Sequence, residues 1–183
     1  MTHGLESLEC LNIARALACP SSRTSMGATG KLSKYLSACD SCRIIRNRID
    51  PLRICDLRYS VVGLNPDQFF RGYAFVTYKT HETELFHLPK KERTGFCEEM
   101  IGTAKVLDSV FHPEKMNYSL LGNLGAAKGT GGHLHWHLIP RYKGDPFWGQ
   151  PPFYRHEKLR LSRQEYSRLI LEVRNRLVKL SSS

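Results

Sequence analysis

The stretch Gly131-Gly132-His133-Leu134-His135-Trp136-His137-Leu138-Ile139-Pro140 alternates histidine with large apolar residues over three repeats. In an extended strand alternate side chains share a face. His133, His135 and His137 therefore line one side, and Leu134, Trp136 and Leu138 turn to the other. Imidazole, with an unperturbed pKa of ~6.5, is available near pH 7 as a neutral nucleophile or proton carrier. Three aligned imidazoles serve packing no better than Val or Thr would, although satisfied sheet histidines are the plain alternative. A shared metal is the sharper rival. Positions i and i+2 can hold one ion, but i and i+4 lie ~13 Å apart at ~3.3 Å per residue, so one ion cannot take all three directly. A nucleophile with a neighbour on each side suits the row better, and His135 is the central residue. Its second ring nitrogen needs an acceptor to fix the tautomer. His137 is placed to meet a phosphoryl or bridging oxygen, and Gly131 and Gly132 let backbone N–H groups approach the same anion.

A second group with chemical potential is Cys39-Asp40-Ser41-Cys42. A Cys-x-x-Cys pair is half of a metal site and needs two more ligands. Free thiols are the alternative, and no thioredoxin-like pattern supports a redox pair. Of the cysteines at 10, 19, 39, 42, 55 and 97 only this pair has a spacing for joint use. With no basic start followed by an apolar run, the expectation is a reducing, cytoplasmic setting.

The elements that must position these groups follow from periodicity. Tyr59 to Leu64 and Gly72 to Tyr78 are rich in β-branched and aromatic residues and predict two strands joined at Asn65-Pro66-Asp67-Gln68. Pro89 opens a helix with Phe96, Met100, Ala104, Leu107 and Phe111 at helical spacing, ended by His112-Pro113. Met116 to Asn123 predicts a third strand, a glycine-rich loop runs from Gly125 to Gly132, and His133 to Ile139 predicts a fourth, stopped by Pro140. Ser162-Arg163-Gln164-Glu165 is a capping box that leads a helix with Tyr166, Ile170, Val173, Leu177 and Leu180 inward. Strands clustered with helices give an α+β class, an antiparallel sheet with packed helices.

The chain has 183 residues with 41% apolar content, enough for one domain with a real core. No apolar run reaches the ~20 residues of a membrane span, so no membrane association is expected. Lys and Arg outnumber Asp and Glu by 27 to 17, for a net charge of +10, which attracts nucleotides, nucleic acids or acidic surfaces. Residues 56–155 carry 12 basic and 10 acidic side chains, so the excess sits at the ends, either as solvated decoration or as a nucleic-acid surface. Three parts are expected: a poorly ordered or mis-started segment 1–37, a catalytic domain 38–155, and a basic amphipathic helix within 156–183, read first as packed on the domain and second as a partner surface.

From about Cys39 to Tyr142 the sequence resembles the histidine triad (HIT) hydrolases and nucleotidyl transferases, whose signature His-φ-His-φ-His-φ-φ (φ apolar) fits His133 to Ile139 at every position. The resemblance implies a histidine triad-like fold and a nucleotidyl-histidine intermediate on His135, with His133 and His137 assisting phosphate binding and leaving-group departure. It implies a nucleotide substrate, namely a dinucleoside polyphosphate such as a diadenosine polyphosphate, a nucleoside phosphoramidate or an aminoacyl adenylate. Histidine at all three triad positions, rather than Gln at the third, favours hydrolysis. Asn65 corresponds to a ribose ligand, Asn123 and Thr130 to phosphate contacts, although the loop is one residue shorter than the common form and Gly129 stands where Gln is frequent. Some members bind zinc through residues that map onto Cys39, Cys42, His81 and His133, with His112 as a reserve ligand. Many members are homodimers, and no sequence feature here fixes one. An aprataxin-like nucleic-acid deadenylase and a non-catalytic nucleotide sensor are the alternative functions.

Overall fold

The computed structural model describes residues 39–48, 50–121, 132–152 and 157–181, with side chains as far as Leu177. The leading segment 1–37, Asn123, Thr130, Gly125, Gly129, Gly131 and the side chain of Leu180 lie outside the described residues. The described chain runs α1 (Asp40–Asn47), β1 (Arg53–Asp56), β2 (Ser60–Leu64), β3 (Ala74–Tyr78), a short turn of helix at Leu85–His87, α2 (Lys90–Phe111), β4 (Lys115–Ser119), β5 (His135–Arg141) and α3 (Arg163–Ser181). The strands form one five-stranded sheet in the order β1-β2-β3-β5-β4, with every neighbouring pair antiparallel. This is the α+β architecture expected.

The period of two along each strand separates a core face from a site face. Ile54, Val62, Leu64, Ala74, Val76, Tyr78 and Leu138 join one buried cluster with Phe96, Met100, Ala104 and Leu107 of α2 and Leu169, Ile170 and Val173 of α3. Trp136 packs against that cluster and meets the Phe96 ring at 6.4 Å. On the other face the register sets Arg53, Gly63, Phe75 and His137 in one row and Asp56, Val61, Thr77 and His135 in the next.

Helix α2 also buries a carboxylate that its apolar spacing does not announce. Glu99 accepts from Tyr59 N–H at 2.8 Å and Ser60 O–H at 2.6 Å, tying the helix to the start of β2. Burial raises the Glu99 pKa, against which those donors act. The capping box forms, with Ser162 N–H donating to Glu165 at 2.8 Å and Glu165 N–H to the Ser162 hydroxyl at 3.3 Å. Arg174 donates to the carbonyls of Ile54 and Arg53, so α3 is docked on β1.

Two elements were not anticipated and the bounds of two others are corrected. α1 and β1 carry no recognisable punctuation: α1 has no side-chain N-cap and closes on Arg48 in the left-handed region at φ 53 rather than on glycine. β1 is only four residues with a charge at each end, and Asp56 takes up Arg53 and Arg48. β4 stops at Ser119, the last residue paired with β5, instead of continuing to Asn123. β5 begins at His135, not His133, and runs through Pro140 to Arg141. β3 pairs with β5 only as far as Leu138, so Pro140 has a strand on one side alone and its missing N–H is tolerated.

Candidate active site and metal centre

The triad divides into two environments. His135 and His137 stand on the site face with ring centroids 4.7 Å apart. His133 precedes the strand, so the three imidazoles do not form the uniform row that alternation predicts. Its ring lies beside His81, at 5.3 Å between centroids.

His135 is half-buried, and its Nδ1 lies 2.6 Å from the His133 carbonyl. A carbonyl can only accept, so Nδ1 carries the hydrogen and Nε2 keeps the lone pair. This is the tautomer a nucleophile requires, and the acceptor is a backbone atom two residues upstream. His137 is buried, with Nδ1 2.5 Å from the Tyr73 hydroxyl. Burial first, then His135, pushes His137 down to about 4, so its ring is neutral near pH 7. The Phe75 ring stands edge-on to both imidazoles, at 5.4 Å from His135 and 5.0 Å from His137.

The same face continues away from the histidines into a cavity of about 250 Å³ lined by Ile44, Ile45, Leu52, Val61, Leu64 and Phe75, among others. Ile44 is a large apolar side chain left 36% exposed there. Gly63 keeps the floor open, since a Cβ would stand 3.3 Å from an Asp50 carboxylate oxygen and from the Leu52 carbonyl. An apolar recess beside two imidazoles suits a ligand with a flat ring at one end and an anion at the other.

Asn65 ends the β2 side of this face. Its side-chain oxygen accepts from Asp67 N–H at 2.7 Å, an Asx turn. Tyr73 and Phe75 were not anticipated as site residues, because aromatic residues in a strand read as packing. The signal lay in the period: Phe75 and His137 occupy facing positions once β3 pairs with β5.

A second centre gathers Cys39, Cys42, His81 and His133, whose ligating atoms all lie within 4.8 Å of one another. His133 Nδ1 is 3.5 Å from Cys39 Sγ and 3.4 Å from Cys42 Sγ, and His81 Nδ1 is 3.3 Å from Cys42 Sγ. Tetrahedral zinc with Zn–S ~2.3 Å and Zn–N ~2.1 Å places N and S ligands about 3.6 Å apart. The four residues fit such an ion. His133 Nε2–H donates to the Tyr78 carbonyl at 2.7 Å, which fixes the tautomer and leaves Nδ1 as the ligating nitrogen. Burial, then the neighbouring Cys39, pushes the Cys42 thiol up to about 12, a cost that a cation would reverse. His112 is exposed at the C-terminus of α2, where its N–H donates to Asp108 O, and is outside this cluster.

The aromatic loop after the triad is anchored rather than loose. Phe147 packs on the cluster of Phe70, Tyr73 and Ile139, Tyr142 O–H donates to Arg71 O at 2.7 Å, and Trp148 is 47% exposed. No helix among the described residues is long and apolar enough to cross a membrane.

The family profile of the HIT domain matches residues 46–144. An uncharacterized HIT-like protein of Borreliella burgdorferi is 27% identical over 74% of this chain and 95% of its own length. The adenosine 5'-monophosphoramidase HNT1 of Saccharomyces cerevisiae is 29% identical over 64% of this chain and 70% of its own. A Zn-bound histidine triad family protein from Mycobacterium smegmatis, solved as a crystal structure, has a TM-score of 0.59 at 26% identity, covering 80% of this chain and 97% of that one.

Proposed function

Because this chain belongs to the HIT domain family, we propose that it hydrolyses nucleotide conjugates through a nucleotidyl-histidine intermediate on His135. The observation that carries the reading is the His135 tautomer: Nδ1–H is held by the His133 carbonyl, so Nε2 is the nucleophilic nitrogen. In the first step the bond from Nε2 to the α-phosphorus forms, and the bond to the leaving group breaks. The leaving group departs with the electron pair and takes up a proton. Water then attacks phosphorus, the P–N bond breaks, and a nucleoside monophosphate is released with His135 restored.

His137, neutral and adjacent, assists at the phosphoryl group in this reading, to which the family resemblance also assigns Asn123 and Thr130. The base occupies the cavity beside Ile44 and Phe75, and Asn65 borders the ribose. The relatedness to an adenosine 5'-monophosphoramidase supports a phosphoramidate as substrate ahead of a diadenosine polyphosphate. Zinc held by Cys39, Cys42, His81 and His133 is structural in this reading. Bound there, it supplies a cross-link between α1 and the lead-in to β5 and no chemistry of the reaction.

Adenosine phosphoramidate and a diadenosine polyphosphate, each labelled at the α-phosphate, separate the readings when quenched rapidly with wild-type protein and with His135→Ala. Acid-labile label on the wild type alone, with product release, is the expected result. Turnover surviving in His135→Ala refutes the mechanism. Binding without turnover in either protein favours a nucleotide sensor, and turnover confined to adenylated nucleic acid, with steep salt dependence, favours the deadenylase.

A further inference from the structure

Two charged side chains line the largely apolar cavity, Asp50 and Arg53, and they are not paired with each other. Arg53 gives its terminal nitrogens to the Asp56 carboxylate and the Ile45 carbonyl. Asp50 takes part in none of the ion pairs among the described residues. Its Oδ1 accepts from Leu52 N–H at 2.9 Å, in the turn where Arg53 N–H donates to the Asp50 carbonyl at 3.2 Å. That bond orients the carboxylate. The other oxygen hangs over the cavity floor: Oδ2 is 3.3 Å from where a Cβ on Gly63 would stand, and Gly63 lies in the row that runs through Phe75 to His137. The side chain is half-buried, so a ligand in the cavity can reach it and shield it from water.

An ionised carboxylate only accepts, and its two oxygens offer about four lone-pair positions, of which Leu52 uses one. Among the common nucleobases, guanine alone presents two adjacent donors on one edge, N1–H and N2–H. Adenine and cytosine set their amino group beside a ring nitrogen that accepts, so a carboxylate meeting that edge gains one hydrogen bond and faces a lone pair. Uracil sets N3–H between two carbonyls. His137 and Gly63 are two strands apart, ~10 Å at ~4.8 Å per step, a span that a nucleoside monophosphate bridges from phosphorus to the far edge of a purine. We propose that Asp50 is a specificity-determining residue that accepts N1–H and N2–H of guanine, so that guanosine conjugates are the preferred substrates of the His135 site. The inference rests on the base occupying this cavity in the reading above, and it adds what chooses among bases. Ile44 and Phe75 hold any flat ring, whereas the carboxylate reads its edge. Part of the choice is rejection, because adenine covers Asp50 without matching it and strips its water uncompensated.

Calorimetric binding of GMP, IMP and AMP to the full-length protein reads this contact without any turnover. GMP should bind roughly 10- to 100-fold more tightly than AMP, the scale of a bidentate base contact. IMP, which keeps N1–H and lacks the N2 amino group, should fall between them. In Asp50→Ala the margin should vanish through weaker GMP binding, with AMP little changed. Asp50→Asn is the sharper variant. Its amide oxygen still takes Leu52 N–H, so the thermal midpoint should stay near wild type, while its NH₂ over Gly63 donates to adenine N1 and should bring the GMP-to-AMP ratio to one or below. A residue that only shapes the turn predicts the wild-type ratio in Asp50→Asn and equal weakening of all three ligands in Asp50→Ala; either result overturns the proposal. So do equal wild-type affinities for GMP and AMP, or no binding of any of the three. If Asp50→Ala does not fold, Asp50→Asn carries the test. Guanosine and adenosine phosphoramidates, labelled at phosphorus, separate this inference from the reaction. Equal labelling of His135 by both, at equal kcat/KM, rejects the base contact and leaves the reaction standing. GMP selectivity that is lost in Asp50→Asn, with no label on His135 from either, rejects the reaction and leaves the base contact standing.

Discussion

His133 and His137 are the same residue four positions apart, and both are buried. The first lies among two thiols and a second imidazole, a donor set that closes on itself. The second lies against a phenol and a phenyl ring, beside an imidazole that is half-exposed. The difference arises from what each meets across the fold. His133 is brought against the entry helix α1 and the residues after β3, whereas His137 pairs in register with Phe75 in the sheet. Chemistry on this strand is therefore assigned by the neighbours a position acquires, and the residue type sets only the options.

The strongest way to break the comparison is to exchange the consequences of damage at the two ends. His135→Ala should cost roughly 10⁴-fold or more in kcat while leaving the thermal midpoint close to wild type, because the side chain is half-exposed. Cys39→Ser or Cys42→Ser should do the reverse in order of severity. Zinc measured by atomic emission should fall from one per chain to near zero, stability should drop by roughly 3 kcal/mol or more, and activity should follow by about 10- to 100-fold through the His133 carbonyl that holds His135. Equal stability in the cysteine variants and the wild type would remove the metal from the account.

Away from both ends, Gly95→Ala should destabilise by about 1–3 kcal/mol in urea unfolding, since a Cβ would collide with the Tyr59 ring, and should leave kcat untouched. An effect of similar size, spread over a pH range, is the pH dependence of the His137 end. Its folded pKa is depressed to about 4 from 6.5, so between those values the unfolded chain binds a proton that the folded chain refuses. Stability is full above the unfolded value and falls as pH drops through that window, by at most about 1.4 kcal/mol per pH unit. A thermal series from pH 7 to 4 should lose that slope in His137→Asn, with the zinc content monitored in parallel.

Much of the site face is legible in the sequence because its signals are local: β2 and β3 follow from β-branched and aromatic content, the triad strand from period-two alternation, and α2 and α3 from period 3.6. What escaped was set by distance or by brevity. Tyr73 is 64 residues from His137 and reads as one more strand aromatic until the strands pair. His81 has no local mark of a ligand and was reached only through the family resemblance. α1 and β1 were invisible because a left-handed arginine and a cluster of ion pairs, not glycine or apolar periodicity, define their ends. Pro140 misled because a proline stops a strand only where both sides are paired.

Arg141, 3% exposed at the end of β5, spends its guanidinium on Asp145, Asn117 and the carbonyls of Gln150 and Phe147. Two of those acceptors are backbone atoms, and they belong to the aromatic loop beyond the site. The loop's path is thus held by groups that every amino acid possesses. Gln150 and Trp148, both exposed, can be exchanged without rewriting those bonds, so descendants of this sequence are able to vary this loop's surface while inheriting its shape.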